Sequence, residues 1–263
     1  IVPAVGPDQA ARLVAQSGGC QTVKVKVAAL GQTEAQEVDR LKAVRDSLGP
    51  AGKIRIDANG AWDRETALER LLALDKAAQG LEYAEQPCRT VRDLAWVRQR
   101  SDVLIAADES IRRARDPLRV KRLEAADLAV LKVQPLGGIR ACLRLAEELE
   151  LPVVVSSAVE TSVGLAMGVA LAAALPRLDF ACGLGTGRLL SGDLVRDRLL
   201  VDSAVLPVRP VEADPALADR YAANPAVDRR WRERLEQVKR SADQVVQQSE
   251  QDWLAELEEV DEP

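Results

Sequence analysis

Histidine does not occur in this chain of 263 residues. Its absence removes the Ser-His-Asp triad, the Cys-His pair, imidazole acid–base chemistry and most zinc sites. Any proton transfer must fall to Asp, Glu, Lys, Tyr or Cys. No CxxC pair occurs either: Cys20, Cys88, Cys142 and Cys182 are scattered, as reduced structural thiols of a cytosolic protein are. The chain opens IVPAVGPDQAA, without an initiator Met and without a basic-then-apolar leader, which reads as a fragment of a cytoplasmic protein. The longest apolar run, VGLAMGVALAAAL from Val163, is too short to span a bilayer. Its Gly164 and Gly168 read as close packing of a soluble helix rather than a membrane dimer motif. Positive charge is not in excess: 36 basic against 41 acidic residues leave a net −5, which argues against nucleic acid or an anionic membrane as partner.

What is present is ordinary globular usage, 47% hydrophobic and 29% charged, enough for a sizeable core. Short β-branched runs alternate with helical patterns. Strand candidates are VPAV near Val2, TVKVKVA at Thr22, KIRIDA at Lys53, LEYAEQ at Leu81, VLIAADE at Val103, DLAVLKV at Asp127, PVVVSS at Pro152 and LDFACGL at Leu178. Segments such as EAQEVDRLKAVRDSL and GIRACLRLAEEL, with apolar residues at helical spacing, lie between them. This alternation predicts a parallel (β/α)8 barrel over 1–190, its units slightly shorter than the typical ~30 residues. A doubly wound open sheet is the alternative, but no glycine-rich phosphate fingerprint follows the first strand. From 191 to 263 an extended, proline-punctuated return gives way to a long amphipathic helix over 226–260, with Trp231, Leu235, Val238, Val245, Trp253 and Leu257 on one stripe. That helix either docks on its own domain or offers a surface for self-association.

Three apolar runs end in an acid: Asp57, Glu85 and Asp108. In a parallel barrel all strand C-termini open on one face, where active sites sit. Three acids at one rim repel unless a cation stands between them, and hard oxygen donors suit Mg²⁺. Alternatively, each acid caps the helix after it or pairs with an arginine. In TVKVKV, strand alternation puts Lys24 and Lys26 on one face and the valines on the other. An inward-facing pair of ammonium groups lowers its own pKa, which suits a base; a solvated edge strand is the plainer alternative. Lys132 ends DLAVLK facing inward in the same way.

In this order and spacing the motifs VKVKV, DANG, EQP, ADES, LKVQPLGG and SSAVETSVG resemble the barrel of the enolase superfamily, muconate-lactonising subgroup. The resemblance runs from Ile1 to about Val208 and implies that Asp57, Glu85 and Asp108 hold Mg²⁺, with Mn²⁺ as a substitute. It implies Lys26 as the acid/base, Lys24 as its electrostatic neighbour, and Lys132 as the opposite lysine that stabilises an enediolate. Asn59, Ser156, Ser157 and Gly183 match positions near the substrate, a small carboxylate; Glu109 stays outside the metal shell. The implied reaction is syn-dehydration of 2-succinyl-6-hydroxy-2,4-cyclohexadiene-1-carboxylate, a step of menaquinone biosynthesis. Racemisation of an N-acylamino acid, epimerisation of a dipeptide, and a non-catalytic barrel serving as a binding or assembly subunit are the alternatives. Members also carry an N-terminal α+β capping domain. The chain starts where the barrel starts, so that cap is expected to be truncated, on another chain, or lost.

Overall fold

The structure is a computed structural model and describes residues 1–241. The chain divides into two compact units, Ile1–Asp214 and Pro215–Pro263.

The first unit is built on six parallel strands in sequence order: β1 (Thr22–Lys26), β2 (Lys53–Asp57), β3 (Leu81–Glu85), β4 (Ile105–Ala107), β5 (Leu128–Leu131) and β6 (Val153–Val155). Helices cross between them: α1 (Pro7–Ala15) before β1, then α2 (Glu34–Leu48), α3 (Arg64–Ala78), α4 (Val91–Arg98), the short α5 (Glu109–Arg112) and α6 (Arg119–Arg122), α7 (Ile139–Leu149) and α8 (Ser162–Ala174). Their starts are written locally. Thr33 and Gln36 form a reciprocal capping box on α2, Asp63 accepts from the Thr66 N–H, and Thr90 accepts from the Asp93 N–H.

Register decides which side chains share a face. Lys26 pairs with Asp57, Asp57 with Glu85, and Glu85 with Ala106. Stepping by two places Lys24, Lys26, Asp57, Glu85, Asp108 and Lys132 on one face. The opposite face, with Val23, Val25, Ile54, Ile56, Ala84, Ile105, Leu131 and Val155, belongs to the large core shared with the helices. Deeper on the first face, Tyr83, Ala106, Leu128, Val130 and Val154 form a separate small core that takes in Phe180. The Tyr83 and Phe180 rings meet edge to face at 6.2 Å, and Arg55 Nη1 donates to the Ala181 carbonyl at 2.8 Å. The chain after α8 therefore lies against β2 and β3 on the inner face, as a barrel requires.

The first and eighth expected strands are present only as single bridges flanking the sheet, Val2 with Val25 and Ser156 with Gly183. Val2 still makes both of its ladder hydrogen bonds, with Lys24 and Lys26. Pro3 follows it and has no N–H with which to extend the ladder. At Gly183 the approach is close: a Cβ would stand 2.7 Å from Ser156 Oγ.

The stretch 191–214 packs with the first unit. Asp193 is its anchor, accepting from the Ser162 N–H at 3.0 Å and the Ser162 hydroxyl at 2.6 Å, while Ser162 Oγ accepts from the Leu199 N–H at 2.7 Å. The second unit contains α9 (Pro215–Arg220) and a helical run over 225–241. On that run Trp231, Leu235 and Val238 are exposed; the remainder of the expected 226–260 helix, with Val245, Trp253 and Leu257, lies outside the described residues. Among the described residues no helix is long and apolar enough to cross a membrane.

Candidate active site

The inner face delivers its charged groups to one end of the sheet, because Lys26, Asp57, Glu85, Asp108 and Lys132 end or directly follow a strand and Lys24 stands two residues before the end of β1. Lys24 Nζ donates to Asp57 at 3.0 Å and to both oxygens of Glu85 at 2.7 and 2.8 Å. Lys26 Nζ donates to the same Asp57 oxygen at 2.5 Å and to Asn59 Oδ1 at 2.7 Å. Across the site Lys132 Nζ donates to Asp108 Oδ2 at 2.6 Å, and Arg112 Nε donates to Asp108 Oδ1 at 2.8 Å. All three acids are buried. The six residues singled out in the sequence for chemistry thus form one connected ladder on the Lys24–Lys26–Asp57–Glu85 side and a second pair, Asp108 with Lys132, beside it.

Electrostatics join the two. Burial first, and then the charges on Asp57 and Asp108, push the Glu85 carboxyl up to about 7 against the pull of Lys24. Glu85 therefore senses both other acids, which places the three within one field. Asp57 moves the other way: burial would raise it, but Lys24 and Lys26 together hold it at about 2. For Lys24 the lowering expected of an inward lysine pair is not found. Burial alone would lower it, yet Glu85 and Asp57 outweigh burial and hold it well above the ordinary lysine range.

The family model described as enolase C-terminal domain-like matches residues 7–211. An o-succinylbenzoate synthase from Thermobifida fusca is 61% identical over 93% of this chain and 75% of its own length. One from Mycobacterium leprae is 51% identical over 89% of this chain and 69% of its own length. The chain belongs to the o-succinylbenzoate synthase family. Among solved structures, the L-Ala-D/L-Glu epimerase from Bacillus subtilis aligns with a TM-score of 0.66 at 26% identity, over 73% of this chain and 55% of its own. Muconate lactonizing enzyme from Pseudomonas putida aligns with a TM-score of 0.72 at 22% identity, over 82% of this chain and 62% of its own, a likeness of fold alone. The chain thus spans less than two thirds of these solved neighbours. The fold is the barrel portion of the enolase superfamily.

Enolase-superfamily enzymes use a divalent metal, and the donor set in this o-succinylbenzoate synthase relative fits one. Three hard carboxylates stand at adjacent strand ends, buried, with the middle one raised by burial and then by its two neighbours. Glu109 Oε2 is also buried without a hydrogen-bond partner among the described residues, an acceptor left over at the same rim. As placed, no three Asp, Glu or Cys side chains among the described residues stand in a ligating arrangement. Each predicted ligand has instead turned to a cation of the chain itself: Asp57 and Glu85 to lysine, Asp108 to Lys132 and Arg112.

The four positions expected near the substrate separate into two groups. Asn59 belongs to the ladder: left-handed at φ 49°, it donates its N–H to Asp57 Oδ1 at 3.0 Å and faces Lys26. Ser156, Ser157 and Gly183 belong to each other. Both serine hydroxyls donate to the Gly183 carbonyl, at 3.4 and 3.3 Å, and Ser157 Oγ shares a 2.7 Å hydrogen bond with Thr186 Oγ1. Among the described residues no hydrogen bond links this trio to the lysines.

Two residues that sequence reasoning passed over are Gln86 and Arg112. Gln86 is fully buried and left-handed at φ 41°. Its Oε1 accepts the N–H of Asp108 at 3.0 Å and of Ser110 at 3.1 Å, and its Nε2 donates to the Cys88 carbonyl and to Ser110 Oγ. One amide therefore fixes the end of β3, which carries Glu85, against the end of β4, which leads to Asp108. Gln86 is the middle residue of EQP, a motif in which only the acid ends the apolar run. Arg112 stands four residues after Asp108, a helical i,i+4 step that was there to be found.

Proposed function

We propose that this chain is the catalytic barrel of a cytoplasmic o-succinylbenzoate synthase. It removes water from 2-succinyl-6-hydroxy-2,4-cyclohexadiene-1-carboxylate by syn-elimination to give o-succinylbenzoate, in menaquinone biosynthesis. The observation that carries the reading is Lys26, an amine at the strand end, held by Asp57 and Asn59 in a chain without histidine. Its side chain keeps 29% of its surface exposed, against 9% for Lys132, so Lys26 is the one with room to reach a reacting carbon.

Lys26 as the free amine takes the proton α to the substrate carboxylate, and the released electron pair delocalises into that carboxylate as an enediolate. The resulting ammonium then gives the same proton to the departing hydroxyl on the same face. The C–O bond breaks, water leaves and the ring becomes aromatic, so one residue serves both halves. Lys24, kept cationic by Glu85 and Asp57, is a fixed positive neighbour. Lys132, carried on Asp108, supplies a cation from the other side to the enediolate. Asp57, Glu85 and Asp108 would hold Mg²⁺, which when bound adds electrostatic stabilisation of the substrate carboxylate's developing charge.

A second reading rests on the likeness to the epimerase from Bacillus subtilis and on Lys132 with its own carboxylate partner. In an N-acylamino acid racemase or dipeptide epimerase, Lys26 and Lys132 work as two bases from opposite faces. Lys132→Arg separates the two, since arginine keeps the charge and cannot serve as a base near neutral pH. The dehydratase reading expects measurable dehydration by Lys132→Arg, and deuterium exchange of an N-succinylamino acid in D₂O from the Lys26 face only. Dehydration lost as completely as in Lys26→Ala, with the fold intact, makes Lys132 a proton carrier and puts the racemase first.

A further inference from the structure

The ladder does not end at Asn59. Asn59 Nδ2 donates to Glu109 Oε1 at 3.2 Å, and Arg112 Nη2 donates to that same oxygen at 2.5 Å. Through its Nε, Arg112 holds Asp108, on which Lys132 sits. A continuous chain of hydrogen bonds therefore runs Lys26–Asn59–Glu109–Arg112–Asp108–Lys132, crossing from the end of β1 past β2 and β4 to the end of β5. We propose that Glu109 and Arg112 are positioning residues that tie the two lysines together, with Glu109 setting the aim of Lys26 through Asn59. The proposal rests on the reading of Lys26 as the proton carrier.

The chemistry of Asn59 gives Glu109 its task. A side-chain amide has an acceptor end and a donor end of nearly the same shape. The N–H groups of Lys26, as amine or as ammonium, are met by the acceptor end; the NH₂ end turned toward them would set donor against donor. The oxygen that Glu109 presents to Asn59 accepts. By accepting from Nδ2 it keeps Oδ1 toward Lys26, so the orientation of the amide is dictated from behind. The left-handed backbone of Asn59 and its N–H bond to Asp57 fix the base of the side chain; Glu109 fixes its tip.

Arg112 sets the spacing on the other side. Its planar guanidinium gives one nitrogen to Asp108 and another to Glu109, from positions four and three residues along the single turn of α5. Two adjacent acids that would otherwise repel are thereby held at a fixed angle. Glu109 and Arg112 touch no reacting atom in this scheme. They decide where Asn59 and Asp108 point, and so where both amines stand. A plain surface ion pair on a short helix would show the same Arg112–Glu109 contact. It would not require the Asn59 link, and it predicts no catalytic effect of Glu109.

The test compares Glu109→Ala, Glu109→Gln, Asn59→Ala, the Glu109→Ala/Asn59→Ala double variant and Lys26→Ala, all with Mg²⁺ and the cyclohexadiene acid. The proposal expects kcat of Glu109→Ala to fall by about 10- to 100-fold, the scale of a lost partner behind a site residue, with KM changed less than about twofold. Glu109→Gln, whose Oε1 still accepts from Asn59, recovers most of that loss. The double variant is no slower than the slower single one, because both cut the same link. In the metal-free protein, shifts of the urea unfolding midpoint for the same pair fail to add, showing the contact without any turnover. Wild-type kcat in Glu109→Ala, or losses in the two singles that multiply in the double, overturns the positioning role. Turnover retained by Lys26→Ala instead sinks the proton-carrier reading itself, so the two failures are told apart.

Discussion

Glu85 and Asp193 are both buried carboxylates on one unit, and their surroundings push them in opposite directions. Glu85 has a cation beside it, Lys24, but it also has Asp57 and Asp108, and its carboxyl is pushed up to about 7, chiefly by burial. Asp193 has no acid among its hydrogen-bond partners. Burial works against its charge, but the hydroxyl and N–H of Ser162 and the N–H of Leu194 outweigh burial and hold the carboxyl below the usual range, with Arg198 assisting. The acid that closes the fold is satisfied by neutral donors already in place. The acid at the strand end is crowded by its own kind, the condition of a site prepared for another cation. Stability and the proposed chemistry are therefore assigned to separate places: a latch between α8 and the return segment, and a polar rim on the inner face of the sheet.

Substitutions should respect that division. The largest effect on turnover is expected at Lys26→Ala, a loss of at least about 10²-fold, the usual scale for a missing general acid/base. Far-ultraviolet circular dichroism should stay as in the parent, since Lys26 lies outside both cores. Asp193→Ala should do the reverse. It strands the N–H and hydroxyl of Ser162 in a buried setting, at about 1–3 kcal/mol for each unmet group. Urea unfolding should register a loss of about 2–6 kcal/mol on that basis, while kcat of the folded fraction holds. A kcat loss in Asp193→Ala matching that of Lys26→Ala would erase the distinction between the two regions.

The same contrast has a pH form. Glu85 is raised in the folded protein, so its contribution to stability is complete below the unfolded carboxylate pKa of about 4.3 and is lost as pH climbs through about 7. Asp193 is lowered, so its contribution is complete above the unfolded value of about 3.9 and is lost only as pH falls through its folded pKa. In EDTA-treated protein, stability should decline between about pH 4.5 and 7, and Glu85→Gln should flatten that decline. An unchanged slope in Glu85→Gln would remove the crowding account of the rim.

Period-two alternation made the main parts of the rim legible. Lys24 and Lys26 are separated from Val23 and Val25 by alternation alone, and the β1–β2–β3 register bears it out. Strand-end acids were visible because each follows an apolar run that only a covered strand explains. Other features had no periodic signal. Gln86 does its work through a left-handed backbone and four side-chain hydrogen bonds, none of which has a spacing in the sequence. Asp193 reaches Ser162 across 31 positions from a loop. Glu109 was set aside because alternation turns it away from the metal shell, yet α5 begins at Glu109, and helical geometry brings it round to Arg112 and Asn59. Lys24 is raised rather than lowered because its acid partners, Glu85 and Asp57, outweigh burial.

The central claim is that this barrel eliminates water from a cyclohexadiene acid with Lys26 carrying the proton. The most direct measurement is the ultraviolet absorbance of the diene after mixing 2-succinyl-6-hydroxy-2,4-cyclohexadiene-1-carboxylate with the protein and Mg²⁺, beside Lys26→Ala under the same conditions. The account predicts that the diene band disappears with the parent protein, depends on added Mg²⁺, and persists with Lys26→Ala. A band that persists with the parent while an N-succinylamino acid exchanges its α-proton would contradict it, as would equal loss of the band in both proteins.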